Sequence, residues 1–317
     1  MNTPLRVGVV GVGYLGRIHA KIYSQMPGVE LVGVVDIDQN ACEEISGLHG
    51  CPGYTDPRAL IGKADAVSIA VPTSTHGEVT LPYLDAGIHT LLEKPIAPTV
   101  TEAETIVAAA EERGLVLLIG HLERFNAGIM ELAERVKDPR FIESHRLGTF
   151  VERATDVDVV TDLMIHDIDI VLTLVKSELT YVSAVGSPVL TDHVDIANAR
   201  LEFANNTVAN VTASRVSMKK FRRIRVFGSD GYHALNFMDQ QIDIVSKTEP
   251  APGQLYPGLK AEQVKVEPRP PLDAELEHFI ETVRTSGRPL VNGRDGIKAL
   301  QVAQQVHQAI KDYPGSQ

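Results

Sequence analysis

The chain has no tryptophan, only two cysteines, and aromatic residues at just 5 % of its 317 positions. Cys42 and Cys51 could pair only with each other, so a disulfide framework is excluded. They read as ordinary thiols, and a reducing, cytoplasmic setting is expected. Positive charge is also scarce: 30 Lys and Arg against 41 Asp and Glu leave a formal net charge of −11. A broad nucleic-acid interface needs a Lys/Arg excess to neutralise phosphates, so that class of partner is not expected. A local basic patch for a small anion is still compatible with this balance. No run approaches the ~18 apolar residues of a membrane span. Met1–Arg6 lack the basic start and long apolar stretch of a secretory signal, so no membrane association is expected.

What is present is material for two cores. Hydrophobic residues make up 44 % of the chain, and a single core stops growing near ~250–300 residues. The expected division is a first domain over 1–122 and a second over 123–317, with the last helix able to pack back on the first. Leu5–Val10, Glu30–Val35, Ala66–Val71, His89–Leu92 and Val116–Ile119 are short apolar runs, as in strands buried on both faces. Helical patterns separate them at Tyr14–Met26, Ala41–Leu48, Gly77–Ala86 and Thr101–Arg113. This rhythm predicts a doubly wound parallel sheet.

The rhythm changes after Gly120. Phe125–Val136 and Val159–Val175 read as helices. Ala197–Phe203 and Val208–Ala213 alternate with period two about an Asn205-Asn206 turn. Ile224–Phe227 and Tyr232–Phe237 flank a Ser229-Asp230-Gly231 turn. The second domain is therefore expected to be α/β with an open, mostly antiparallel sheet. Pro250–Pro257 and Pro268–Pro271 read as loops. Asp273 reads as the N-cap of a helix to Thr285, and Asp295 or Gly296 as the start of the last helix.

The strongest motif is Gly11-Val-Gly13-Tyr14-Leu15-Gly16, placed between a strand and a helix. Gly11 permits the turn, Gly13 lets backbone approach a pyrophosphate, and Gly16 allows close helix–strand packing. Asp36 ends the second strand, where a carboxylate accepts hydrogen bonds from adenosine ribose hydroxyls and repels a 2′-phosphate. Ile37 and Asp38 follow, not Arg, which favours NAD over NADP. A glycine turn in a non-binding fold, or a site for FAD or S-adenosylmethionine, would share part of this pattern. Glu93-Lys94-Pro95 follows the fourth strand. Ligands of open parallel sheets bind beyond the carboxyl ends of strands, which places Lys94 where nicotinamide and substrate meet. Its ammonium can hydrogen-bond the substrate oxygen and favour alkoxide character. Away from that position, a Lys-Pro pair would read as a surface loop.

Together with Ala70-Val71-Pro72-Thr73 and Asp162-x-x-x-His166, these motifs in this order resemble the glucose–fructose oxidoreductase / inositol dehydrogenase (Gfo/Idh/MocA) family. The resemblance implies a dehydrogenase with Lys94 catalytic and a Lys94-Pro95 bond that is often cis in relatives. It implies cofactor contacts from Tyr14, Leu15, Ile37, Val71, Pro72, Thr73, His76, Glu93 and Lys94. It implies that His166 is the proton acceptor, with Asp162 contacting substrate or assisting it.

On a helix, Asp162, His166 and Asp169 would form one polar stripe. Histidine titrates near working pH and can take a hydroxyl proton. A helix-start acid beside a satisfied core histidine is the plainer reading, and a divalent metal a further one. No additional His or Cys at ligand spacing supports a metal. His121, Arg124 and Asn126 follow the fifth strand, where family members place substrate-site residues; a solvated helix start is the alternative.

Lys219-Lys220-Phe-Arg222-Arg223-Ile-Arg225 stands out in an acidic chain. It could draw in an anionic substrate, protect an edge strand or form a contact between subunits. With the Asp162–Asp169 wording, it resembles the branch that oxidises UDP-N-acetylglucosamine at its 3-position. Inositol-type dehydrogenases of free polyols or monosaccharides are the alternative, and a non-catalytic NAD-responsive binding protein is another. An exposed sheet face needs cover, so a homodimer or homotetramer is expected.

Overall fold

A computed structural model describes residues 3–150, 157–250 and 257–313. Most of the Pro250–Pro257 loop lies outside these residues. The chain divides into two compact units, 1–122 with 270–300 and 123–269 with 301–317.

The first unit carries β1 (Leu5–Val10), α1 (Tyr14–Gln25), β2 (Val29–Val35), α2 (Gln39–His49), β3 (Gly53–Tyr54) and β4 (Ala66–Ile69). It continues with α3 (His76–Asp85), β5 (His89–Glu93), α4 (Val100–Glu112) and β6 (Leu117–Gly120). The sheet runs β3-β2-β1-β4-β5-β6, and every pairing is parallel. Val7, Val9, Val34, Ile69, Leu91 and Leu118 are fully buried, as the continuous apolar runs require. The order reverses between β1 and β4, which makes the carboxyl ends of these two strands the crevice for a ligand.

Residues 270–300 differ from the expected division, because they belong to this unit and not to the second. Asn292 bridges to Leu118 of β6, and α7 (Pro271–Thr285) packs on α1. Two helix starts also differ. Pro271 itself opens α7, since its missing N–H costs nothing in a first turn, and Asp273 lies inside. The last helix, α8 (Gly293–Asp312), opens two residues early. Asn292 and Asp295 cap each other's backbone there: Asn292 N–H donates to Asp295 Oδ2 at 3.1 Å and Asp295 N–H to Asn292 Oδ1 at 3.2 Å.

The second unit carries α5 (Ala127–Arg135), β7 (Pro139–Leu147), α6 (Ile165–Val175), β8 (Leu179–Ser187), β9 (Ile196–Phe203) and β10 (Val208–Ser214). It continues with β11 (Phe221–Gly228), β12 (Gly231–Asn236), β13 (Gln241–Lys247) and β14 (Leu259–Lys265). The sheet order is β14-β13-β12-β11-β7-β10-β9-β8, antiparallel except where β7 meets β10. Helices α5 and α6 lie on one face. The strands alternate accordingly: Ala197, Ala199, Leu201 and Phe203 of β9, and Ile224 and Val226 of β11, are buried.

Val159–Val175 is not one α-helix. Val160–Met164 is a π-turn that leads into α6, a rare widening that recurs at functional sites. Asp162 stands on this turn and His166 in the first turn of α6, so the two lie on segments of different pitch.

Candidate active site

In the first unit the glycine loop has one function per residue. Gly11 takes φ +84°, and a Cβ there would lie 2.5 Å from Ala70 O. A Cβ on Gly16 would lie 1.7 Å from Gly11 O, so only glycine lets α1 pack this closely. Gly13 is different, because a Cβ there would meet no protein atom within 4 Å. Its bareness serves no internal packing and leaves an open cradle at the start of α1. Gly13 caps that helix without a side-chain hydrogen bond, and its first turn holds no acid. The orphan N–H groups and the helix dipole are thus left to an anion.

Asp36 Oδ2 accepts from Val12 N–H at 2.7 Å and Oδ1 from Asp38 N–H at 2.9 Å. These bonds fix its carboxylate beside the cradle and leave lone pairs over for ribose hydroxyls. Tyr14, Leu15 and Ile37 are exposed. Asp38 caps α2 by accepting from Asn40 N–H at 2.9 Å. The residues present therefore fit a dinucleotide with unphosphorylated ribose.

The loops after β4 and β5 are tied together from behind. His76 is buried and faces two carbonyls, Val71 O at 3.0 Å from Nε2 and Ile96 O at 3.3 Å from Nδ1. Burial pushes this imidazole down from its ordinary range, and a neutral ring donates to only one carbonyl at a time. His76 thus lies beneath both the Val71-Pro72-Thr73 segment and the turn after Lys94-Pro95 and bonds one of them at a time. The Lys94–Pro95 bond is cis.

Glu93 is nearly buried, and its Oε1 lies 3.4 Å from Nε2 of the buried His19. His19 Nδ1 faces Ser68 Oγ at 3.2 Å, which Tyr23 Oη meets at 3.0 Å. Glu275 of α7 is fully buried, and neither carboxyl oxygen has a hydrogen-bond partner among the described residues. Burial, reinforced by the Glu93 charge, raises its carboxyl far above the usual carboxylate range. Sequence reasoning missed His19, Ser68 and Glu275. A His and a Ser within apolar stretches of an α/β pattern were the available signal.

In the second unit, α6 carries His166, Asp167 and Asp169, and Asp167 meets β7. Asp169 Oδ1 lies 3.8 Å from Arg124 Nη1, and both residues are buried. Asp167 accepts from Ser144 Oγ at 2.6 Å and from Arg146 Nε at 2.5 Å. Asn126 spends its Oδ1 on Gly128 N–H at 3.0 Å, capping α5. His121, in the first unit, is buried at 1 % exposure. Asp162, His166 and Lys94 are half-buried. Among the described residues no group of three or more His, Cys, Asp or Glu is gathered as a metal ion needs.

Two family models match the chain. The oxidoreductase family with NAD-binding Rossmann fold covers residues 5–121, and the GFO/IDH/MocA C-terminal domain covers 133–233. The chain belongs to the GFO/IDH/MocA family. It is accordingly an oxidoreductase that binds NAD in its first unit. Among curated proteins, the UDP-N-acetylglucosamine 3-dehydrogenase of Acidithiobacillus ferrooxidans is 38 % identical over 311 residues, 98 % of each chain. The solved structure of that dehydrogenase matches with a TM-score of 0.90 at 37 % identity, covering 97 % of this chain and 98 % of the other. A myo-inositol 2-dehydrogenase of Thermotoga maritima is 25 % identical over 315 residues, 93 % of each chain. The scyllo-inositol dehydrogenase of Lactobacillus casei, solved with NAD(H) and scyllo-inositol, shares the fold at a TM-score of 0.82 and 18 % identity, covering 97 % of each chain.

Proposed function

We infer that this family member oxidises the 3-hydroxyl of UDP-N-acetylglucosamine with NAD⁺. The whole-chain similarity to the Acidithiobacillus ferrooxidans enzyme carries the reading. His166 takes the hydroxyl proton as the C–H bond of the same carbon breaks. Lys94 donates a hydrogen bond to the oxygen and stabilises its developing negative charge. Asp162 contacts the sugar or orients His166. When bound, the nicotinamide supplies the hydride acceptor, and the products are the 3-keto sugar, the reduced cofactor and one proton. Arg124 and Asn126 flank the sugar. Glycine backbone at 11–16 and the Asp36 carboxylate hold the dinucleotide.

Oxidation of a free polyol such as an inositol is the second reading, favoured by the Thermotoga maritima relative. A panel of UDP-sugars, free hexoses and inositols with NAD⁺ and NADP⁺ separates the two. Turnover of inositols but not of UDP-N-acetylglucosamine refutes the first reading. Lys94→Ala should lower kcat by roughly 10²–10⁴, and near-normal turnover in that variant removes Lys94 from the mechanism.

The face of the second sheet away from α5 and α6 carries Phe227 against Phe141 and Tyr232, with ring centroids 5.9 and 4.9 Å apart. Half-exposed aromatics of this kind fit a face covered by a second copy, so a homodimer or homotetramer in the cytoplasm belongs to the proposal. Sedimentation of the purified protein checks it.

A further inference from the structure

The basic stretch 219–225 is contiguous in sequence, but β11 splits it. Side chains alternate along a strand, so Arg223 and Arg225 take the open face. There Arg223 lies 3.7 Å from Asp243, and Arg225 pairs with Glu143. Acids of β13 and β7 face both. Arg222 takes the other face, shared with the buried Ile224 and Val226.

On that face Arg222 stands directly opposite Arg146 of β7. Two like charges at facing positions repel unless anions lie between them. The described residues offer both arginines one shared oxygen: Glu123 Oε1 lies 2.7 Å from Arg146 Nη1 and 3.3 Å from Arg222 Nη1. Arg146 also holds Asp167 through Nε, yet its buried Nη2 has no acceptor among the described residues. The Phe237 ring, 5.9 Å away, meets the guanidinium carbon and leaves that in-plane donor unmet. An orphaned donor on a buried cation is costly and asks for a missing acceptor. The Arg222 side chain is 43 % exposed and bonded only to Glu123 among the described residues. It therefore presents spare donors outward. Both carboxylates sit one residue from candidate site residues, Glu123 before Arg124 and Asp167 after His166.

We propose that Arg222, backed by Arg146, is an anion subsite that takes the diphosphate of the nucleotide-sugar substrate. This rests on the reading of the enzyme as a nucleotide-sugar dehydrogenase. A guanidinium fork suits phosphate oxygens because it donates two parallel hydrogen bonds. A free polyol has no group to meet it, so the subsite selects one substrate class over the other. Arg146 is the positioning residue: it anchors Glu123, whose shared oxygen holds the Arg222 fork in place.

The test uses the full chain with NAD⁺ and compares calorimetric binding of UDP with that of uridine. The wild type should bind UDP more tightly than uridine. Arg222→Gln should weaken UDP binding by about tenfold to a hundredfold, leave uridine binding unaltered, and raise the KM for UDP-N-acetylglucosamine in parallel. Arg222→Lys keeps the charge without the fork and should fall between them. NAD⁺ affinity and thermal midpoint report intact folding. Equal UDP affinity in wild type and Arg222→Gln overturns the subsite while leaving the sugar-nucleotide activity standing. Equal loss of UDP and uridine binding overturns it too, as general damage. A wild type that turns over no UDP-sugar removes the underlying reading itself.

Discussion

Glu275 offers a measurement in which the physics is unusually isolated. Its carboxyl is fully buried in the first unit, without a hydrogen-bond partner among the described residues, and the Glu93 charge stands nearby. Both effects disfavour ionisation, so the folded-state pKa is raised. In the unfolded chain a glutamate titrates near ~4.3. Between these two values the native state holds a proton that the unfolded state has released. Stability changes with pH as the protons bound when unfolded minus those bound when native, which here is about minus one. Wild-type stability should therefore fall by about 1.4 kcal/mol per pH unit through this window, from this group alone. The fall ends when pH reaches the folded value. Glu275→Gln keeps the shape and the neutral charge at every pH, so it lacks this slope. Other titrating groups contribute equally to both proteins and cancel in the difference. Thermal unfolding of wild type and variant at pH 5, 6, 7 and 8 should show the variant gaining on the wild type. Below the folded-state value the gap should widen by about 3–6 °C per pH unit, given roughly 2–4 °C per kcal/mol for a domain of this class, and it should level off where the pH passes that value. Two curves that run parallel across the range would falsify the claim that Glu275 enters the fold protonated.

The cofactor loop makes a paired prediction. Gly16→Ala forces a Cβ to 1.7 Å from Gly11 O and should cost about 1–3 kcal/mol of stability, read by denaturant unfolding. Gly13→Ala meets no protein atom, so its thermal midpoint should hold while the KM for NAD⁺ rises at least roughly tenfold. An unchanged KM would remove Gly13 from the pyrophosphate site. Asp36→Asn keeps an acceptor for Val12 N–H but drops the charge that repels a 2′-phosphate. The preference for NAD⁺ over NADP⁺ in kcat/KM should then shrink by roughly tenfold or more, and an unaltered ratio would show that Asp36 does not set it.

How much of this was legible in the sequence follows from which groups announce themselves by pattern. Five of the six strands of the first sheet were readable, because parallel strands buried on both faces leave continuous apolar runs, as in Leu5–Val10 and His89–Glu93; the two-residue edge strand β3, Gly53–Tyr54, is too short to leave such a run. The second sheet showed only its two clearest hairpins. Its central strand β7 escaped notice because two of its buried positions are Ser144 and Arg146. Those residues are tolerated inside only because Asp167 and Glu123 arrive from elsewhere in the chain to meet them. Likewise α7 was visible as a helix, but nothing local said that it belongs with the first unit or buries a carboxyl there. The π-turn at Val160–Met164 left no signal at all, since its residues suit an α-helix equally well.

The basic stretch shows the same limit from the other side. Five cations in seven residues look like one patch, and the sequence alone offers an anion site, a protected edge or a subunit contact for all of them together. The pleat of β11 makes that choice residue by residue. Arg223 and Arg225 are matched by acids on β13 and β7 and contribute little net field to any ligand. Arg222 lands opposite a buried arginine with a donor to spare, on the face that α6 covers. Neutralising 223 or 225 should therefore disturb the open face and leave substrate affinity alone, while neutralising 222 should do the reverse. Substrate affinity that follows the number of charges removed, whichever residue is chosen, would mean that the stretch acts as a diffuse field and that the strand's alternation has no part in recognition.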